Sequence, residues 1–328
     1  MSITFKQTII HNLDLSMGQP LLSKECSVLT DEAESFITRK IYQVLKNQGL
    51  CEAKFKEQIS LFPEDHPASI FKNWDGKGLK HISEVLANGF YRYMVEYDNI
   101  PNGDLIVTNY LVDKEEYVAA LKINFNDGDY THFFSSDDET MKLVVNKGIY
   151  RKRINEAVII KLSNTSVQLL DESKSKYISL MLDLETKLSA KETLRALDNV
   201  AKSVIEDHYD NPVKAIAELE NNISESIART QNIPIQEVIE KTFGEDEEVL
   251  SSVQCKLEEY GISNESNVEV TSSRVANKYN KQKLKTDTGI EIRIPTHLMK
   301  DTDFFEILNN HNGTQSLIVK NVSQVVSK

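Results

Sequence analysis

Along residues 3–13 the apolar positions Ile3, Phe5, Ile9 and Ile10 recur near every second place, the period of a strand lying on a core. At Asp31 the period changes. Ala33, Phe36, Ile37, Ile41, Val44 and Leu45 recur at helical spacing, with Thr30 as N-cap and Asn47-Gln48-Gly49 as the stop. A second helix is predicted over 78–97, where Leu79, Ile82, Val85, Leu86, Phe90, Tyr93, Met94 and Tyr97 cover more than one face and require deep packing. Strands follow at 104–111 and 116–126. In the latter, Tyr117, Ala119, Leu121, Ile123 and Phe125 alternate with Val118, Ala120, Lys122 and Asn124. Asp127-Gly128 marks a two-residue turn, with 130–134 returning as a hairpin. Further strands are predicted at 141–145, 157–162, 166–170 and 177–182. Spacings this short favour antiparallel neighbours, so the first part reads as α+β: a mostly antiparallel sheet with the helices packed on a sheet face.

The middle of the chain is helical. Ser189 serves as an N-cap, and Leu194, Leu197, Val200, Ala201, Val204 and Ile205 form the first stripe. Pro212 opens a second helix with Ile216, Leu219, Ile223 and Ile227, Pro234 a third, and 247–260 forms a fourth, ended by Gly261. Alternation then returns at Val268 and Val270, at Ile290, Ile292 and Ile294, and at Leu317, Ile318 and Val319, with Asn312-Gly313 as a turn between the last two stretches. Three parts result: an α+β domain at 1–185, a helical segment at 186–262 and a small β-rich module at 263–328.

Charge changes this picture. The net charge is −12, yet it is unevenly spread. Residues 183–260 hold 18 Asp/Glu against 8 Lys/Arg, whereas 261–328 hold 9 Lys/Arg against 7 Asp/Glu. A surface for a polyanion is expected outside the acidic middle, because like charge repels it there. The middle itself reads as a small bundle with a solvated acidic surface. No run of eighteen apolar residues predicts a membrane span, and residues 1–15 lack the charged-then-apolar pattern of a secretory leader. Cys26, Cys51 and Cys255 are odd in number and far apart, which suits a reducing cytoplasm.

Catalytic motifs are mostly absent. There is no GxGxxG, GxxxxGK, GxSxG or HExxH; the seven histidines show no ligand spacing, so neither cofactor nor metal is expected. Glu52-Ala53-Lys54 has the ExK spacing of metal-dependent nucleases, with both side chains on one strand face, but a helix precedes it where an acidic strand residue would be needed. Two basic clusters are more informative. Lys147, Arg151, Lys152 and Arg153 flank Tyr150 in a predicted loop. Arg274, Lys278, Lys281, Lys283, Lys285 and Arg293 surround Tyr279, interrupted by Asp287 and Glu291. Either cluster has two readings: contacts to several phosphates, or solvated charge that keeps sheet edges from pairing. Neither carries a recognition-helix or zinc-finger pattern for reading bases.

The order of segments resembles the 37-kDa nucleoid-associated bacterial proteins, the NdpA family. The resemblance rests on Ile3 through Leu13, Gly103-Asp104-Leu105-Ile106-Val107 with Tyr117 to Asn124, Arg153 through Leu162 before Tyr177-Ile178, Gly289 through Pro295, and Leu317 through Val322. It implies a cytoplasmic, nucleoid-associated protein without catalytic residues, binding duplex DNA with no marked sequence preference. It further implies contacts with chromosome-organising proteins such as type II topoisomerase. Independently of the resemblance, the β-modules and amphipathic helices are compatible with a homo-oligomer. Relatives carry a basic Gly/Arg-rich stretch where this chain reads Leu182-Asp183-Leu184-Glu185-Thr186-Lys187-Leu188, so DNA contact is expected mainly from the module after Gly261. The alternatives are a protein-interaction adaptor or DNA mimic acting through the acidic helices and, third, a metal nuclease built on Glu52 and Lys54.

Overall fold

The strands of the first part join into one seven-stranded sheet. The computed structural model describes residues 3–56, 63–76, 78–125, 132–135, 139–143, 152–209, 212–299 and 301–326. Strands β1 (Ile3–Leu13), β2 (Cys51–Phe55), β3 (Gly103–Val112) and β4 (Glu115–Asn124) are followed by a separate pair, β5 (His132–Ser135) and β6 (Thr140–Leu143). Then come β7 (Glu156–Lys161), β8 (Ser166–Asp171) and β9 (Leu184–Thr186). The sheet order is β1-β3-β4-β7-β8-β2-β9, with every neighbour antiparallel. Helices α1 (Asp31–Leu45), α2 (Pro67–Lys72), α3 (Leu79–Glu96) and α4 (Tyr177–Met181) cover it. The chain divides into two compact units, Met1–Ser189 and Ala190–Lys328.

The two predicted helices take opposite faces of the sheet rather than one. α1 sets Phe36, Ile37, Ile41 and Val44 against Ile106, Ala119, Leu121 and Ile159. α3, with α2 and α4, sets Leu86, Phe90, Phe71 and Ile178 against Leu105, Val107, Val118 and Ile160. The reason is visible in the strands: β3, β4 and β7 are apolar at nearly successive positions, and such strands need cover on both sides. Thr30 caps α1 as expected, its Oγ1 accepting the Ala33 N–H at 3.3 Å. Gly103 begins β3 because a Cβ there would lie 2.6 Å from the Ile123 carbonyl oxygen.

Two expectations fail here. The predicted return strand does not pair with β4, whose two edges are already taken by β3 and β7; β5 pairs with β6 instead. The turn at Asp127-Gly128 lies outside the described residues. The stretch predicted as a strand at 177–182 is helix α4. Its backbone is diverted by Lys176 at φ 50°, and the Asp171 carboxylate accepts the N–H groups of Ser173 and Ile178, each at 3.0 Å. Asp171 in turn belongs to a buried polar ladder. Lys122, Glu156 and Asp171 are successive cross-strand partners on β4, β7 and β8, only 0%, 2% and 4% exposed. Lys122 Nζ lies 2.8 Å from Glu156 Oε2 and donates to the Pro101 carbonyl and Asn124 Oδ1. The Tyr177 hydroxyl donates to the same Glu156 oxygen at 2.8 Å. Burial pushes the Asp171 carboxyl and the Tyr177 phenol up and the Lys122 ammonium down, the last opposed by Glu156.

In the second unit the helical stripes pack as predicted. α5 (Ala190–His208), α6 (Pro212–Thr230), α7 (Ile235–Phe243) and α8 (Glu247–Glu259) share a core with Val268, Val270 and Tyr279. Val268 lies on β11 (Asn267–Glu269), which pairs with β10 (Asn232–Pro234). Then follow α9 (Ser273–Tyr279), the ribbon β12 (Lys281–Lys285) with β13 (Glu291–Pro295), α10 (Thr296–Met299), and the hairpin β14 (Phe305–Asn309) with β15 (Gln315–Val319). The Asn312-Gly313 turn therefore joins β15 to β14, an element the alternation did not reveal, and not to β13. A small second core sets Ile294, Met299 and Phe305 around Ala217 of α6.

Two stability predictions follow from the polar interior. His11 is fully buried; its Nε2 lies 2.8 Å from Ser83 Oγ, its Nδ1 accepts the Ser23 N–H, and burial lowers its pKa to about 4. The ring folds neutral, so its contribution is fully present above pH 6.5 and is lost as pH falls toward 4, about 3 kcal/mol in all. Urea unfolding at several pH values should show that acid-side loss in the native chain and its absence in His11→Asn. Lys122→Met strands the Glu156 carboxylate and should cost about 3–5 kcal/mol. Adding Glu156→Gln should return part of that in the same assay.

Candidate nucleic-acid interface

The two-residue period of β12 sorts its side chains by face. Gln282 is buried and Leu284 half-buried, whereas Lys281, Lys283 and Lys285 are exposed. On β13, Ile292 and Ile294 turn inward with the small core, and Arg293 is exposed directly across from Lys283. Lys281, Lys283, Lys285 and Arg293 therefore share one open face, with alternate residues of a strand about 6.7 Å apart. Among the described residues none of the four makes an ion pair. Glu291, across from Lys285, is the one carboxylate set opposite this row. Like charges placed directly opposite, as Lys283 and Arg293 are, destabilise a ribbon in isolation, and a polyanion relieves that repulsion. Gly289, at φ 90°, closes the turn that joins the strands.

The ribbon is anchored through its leading segment. Asp198 on α5 is 6% exposed and accepts from the Tyr279 hydroxyl at 3.2 Å and from Lys278 Nζ. Lys278 also lies 4.8 Å above the Tyr279 ring centroid. Burial first, and then the Asp198 charge, push the Tyr279 phenol well above its ordinary range. Thr296 Oγ1 donates to the Tyr279 carbonyl at 2.6 Å, and Ser224 Oγ donates to Asn280 Oδ1 at 2.7 Å. The Thr296 N–H also donates to the Asn280 carbonyl at 3.0 Å, so the residue just before β12 and the residue just after β13 are held together. Nearby, burial raises the Glu220 carboxyl despite Lys202 at 3.5 Å.

The six residues of the predicted C-terminal cluster are therefore not equivalent. Lys281, Lys283, Lys285 and Arg293 converge on one face. Arg274 is exposed on α9, and Lys278 gives its charge to Asp198. Of the other cluster, Lys147 and Arg151 lie outside the described residues. Lys152 Nζ donates to the Asn124 carbonyl at 3.2 Å, its own carbonyl accepts from Lys40, and Arg153 is exposed; both belong to the first unit. Glu52 and Lys54 do share a strand face, as the ExK reading requires, but Glu52 is paired with Lys187 at 2.8 Å and Lys54 with Glu185 at 3.2 Å. They sit on the rim of a cleft of about 650 Å³ floored by Tyr110, Tyr117 and Ile159. Among the described residues no three His, Cys, Asp or Glu side chains form a group fit to hold a metal. Sequence reasoning missed the Asp198 anchor and this cleft. Asp198 interrupts the apolar face of α5 between Leu197 and Val200, which was its one visible sign.

A family model described as nucleoid-associated protein YejK matches residues 9–326, spanning both units. The chain belongs to the nucleoid-associated protein YejK family. No curated protein matches it significantly. Membership of the YejK family gives the chain a nucleoid-associated role and agrees with the order of segments noted in the sequence. Among the described residues no helix is long and apolar enough to cross a membrane.

Asp198→Asn is the test of the anchor. Losing a charge-assisted bond to half-exposed Lys278 and weakening the Tyr279 bond should cost about 1–2 kcal/mol. Thermal unfolding of the variant should show that loss, while the first unit unfolds as before.

Proposed function

We propose that this YejK-family chain is a binding protein, not a catalyst, and that it holds duplex DNA without sequence preference through the open face of the β12–β13 ribbon. The observation that carries this reading is the alignment of Lys281, Lys283, Lys285 and Arg293 on one exposed face with no ion-pair partner among the described residues. A row of cations on a rigid strand contacts phosphates, and phosphate contact conveys position rather than base identity. Four such contacts release counterions to give a slope of log affinity on log salt of about −3.6, so affinity falls roughly a hundredfold between 50 and 200 mM salt. Arg274 and the Lys147, Arg151, Lys152 and Arg153 cluster are secondary candidates.

A second role is favoured by the acidic helices. Glu245, Asp246, Glu247 and Glu248 are consecutive and exposed, running from the link after α7 into the first turn of α8, and a basic protein surface complements them. The partner class implied by the family resemblance is a chromosome-organising protein such as a type II topoisomerase. Retrieval of a stoichiometric partner by the native chain, undiminished by nuclease and lost on reversing these four charges, supports that role.

Duplex titration at several salt concentrations tests the main reading. The native chain should bind unrelated duplexes alike. K281E/K283E/K285E should weaken binding to all of them and flatten the salt slope to about −1. Equal retardation by native and triple-variant chains would remove the ribbon from the interface.

A further inference from the structure

The cleft of the first unit contains an unfinished row of rings. Phe5, Tyr110 and Tyr117 are cross-strand partners on β1, β3 and β4, on the sheet face that α1 covers. Their ring centroids lie 6.3 Å and 5.5 Å apart, and Tyr110 and Tyr117 are within 16° of parallel. The next partner across the sheet is Lys161 on β7, whose ammonium is held 3.3 Å from Glu115. Among the described residues no ring packs on the side of Tyr117 away from Tyr110. Ile41 and Tyr42 of α1 roof this place, and Ile159 floors it. Stacked rings gain attraction beyond the area they bury, so a flat aromatic group completes the row.

One polar group inside has nothing to answer it. Tyr110 is 2% exposed and lines the cleft with Phe5 on one side and Tyr117 on the other, so it presents its hydroxyl edge to the space. That hydroxyl has no hydrogen-bond partner among the described residues. Burial first, and then Tyr117 and Tyr42, hold the phenol above its ordinary range, so it keeps its proton. A buried donor without an acceptor bears its whole desolvation cost, and a ligand atom that accepts from it removes that cost.

Past the rings the cleft turns polar. α1 packs over β3, β4 and β7, while the same face on β8 and β2 carries half-buried Gln168 and exposed Glu52 and Lys54. From β4 to β2 is three strand spacings, about 14 Å, room for two joined groups laid end to end. The charges at this end are already matched, Glu52 with Lys187 at 2.8 Å and Lys54 with Glu185 at 3.2 Å. No surplus charge draws in an ion, yet an amide and carboxylates remain to receive hydroxyl groups. The fitting occupant is aromatic at one end, hydroxylated at the other and neutral. A volume of about 650 Å³ is that of an ordinary small-molecule site.

We propose that this cleft binds an uncharged nucleoside, with the base stacked on Tyr117, a ring acceptor on the Tyr110 hydroxyl, and the sugar hydroxyls over Gln168 and Glu52. The site lies wholly within the first unit and does not rest on the DNA-binding reading of the ribbon.

Isothermal titration calorimetry of the full chain with adenosine, guanosine, cytidine and thymidine in turn tests it. At least one should bind saturably, one per chain. Tyr110→Phe keeps the ring and removes only the unanswered hydroxyl. It should weaken that binding about tenfold, while the melting temperature without ligand stays level or rises. A tyrosine that only fills the core would leave affinity unmoved. Gln168→Trp puts a side chain where the base would lie and should abolish binding with circular dichroism unchanged. The 5′-monophosphate of the bound nucleoside should bind no more tightly, and indole should bind more weakly. Failure of all four nucleosides to bind overturns the proposal, as does binding that Tyr110→Phe leaves undiminished. So does a monophosphate that binds more tightly, which assigns the cleft to an anion, or indole that binds as well as the nucleoside, which assigns it to a bare apolar ring.

Discussion

A carboxylate buried inside a helical bundle must find donors, and Asp198 finds both of its donors on the segment that leads into the basic ribbon. That requirement fixes the second unit. Tyr279 enters the bundle core because its hydroxyl has somewhere to go, and Thr296 then ties the far end of the ribbon to the Tyr279 carbonyl. With both ends held, period two decides the rest: one face of β12 and β13 closes the small core and the other presents cations. Lys278 is spent on this anchor, so the open face is defined as much by the cation it lacks as by those it has.

The first unit solves a comparable problem at greater depth. Its ladder of Lys122, Glu156 and Asp171 runs across three strands beneath α3, and the donors that complete it come from the Tyr177 hydroxyl and the backbone of α4. Paired and fully hydrogen-bonded, such a ladder is tolerable; broken, it leaves an uncompensated charge in a core. Short helix α4 satisfies Asp171 and Glu156 together, against the strand propensity of its own residues.

That competition explains what was legible in the sequence. Period and caps located β1, α1, α3 and the bundle helices, because each buries its stripe locally. The 177–182 segment misleads because its conformation is chosen by carboxylates on β7 and β8. The missed strand β14 reads Phe305-Glu306-Ile307-Leu308-Asn309, whose alternation is blurred by Leu308. Both helices were assigned to one sheet face because strand alternation alone does not say which face a helix takes. Within the candidate interface, charge density marked the right stretch, but only the pairing of β12 with β13 separates Lys281, Lys283, Lys285 and Arg293 from Lys278. Asp198 lies far from Lys278 in sequence, and a long-range partner of this kind leaves no periodic trace.

Lysine-reactivity footprinting with and without duplex DNA addresses the central claim residue by residue. Lys281, Lys283 and Lys285 should lose reactivity toward an amine-modifying reagent when DNA is added at low salt and regain it at high salt, while Lys54 and Lys187, paired with glutamates in the first unit, stay unchanged. Unaltered reactivity of the three ribbon lysines while DNA is bound would contradict the account.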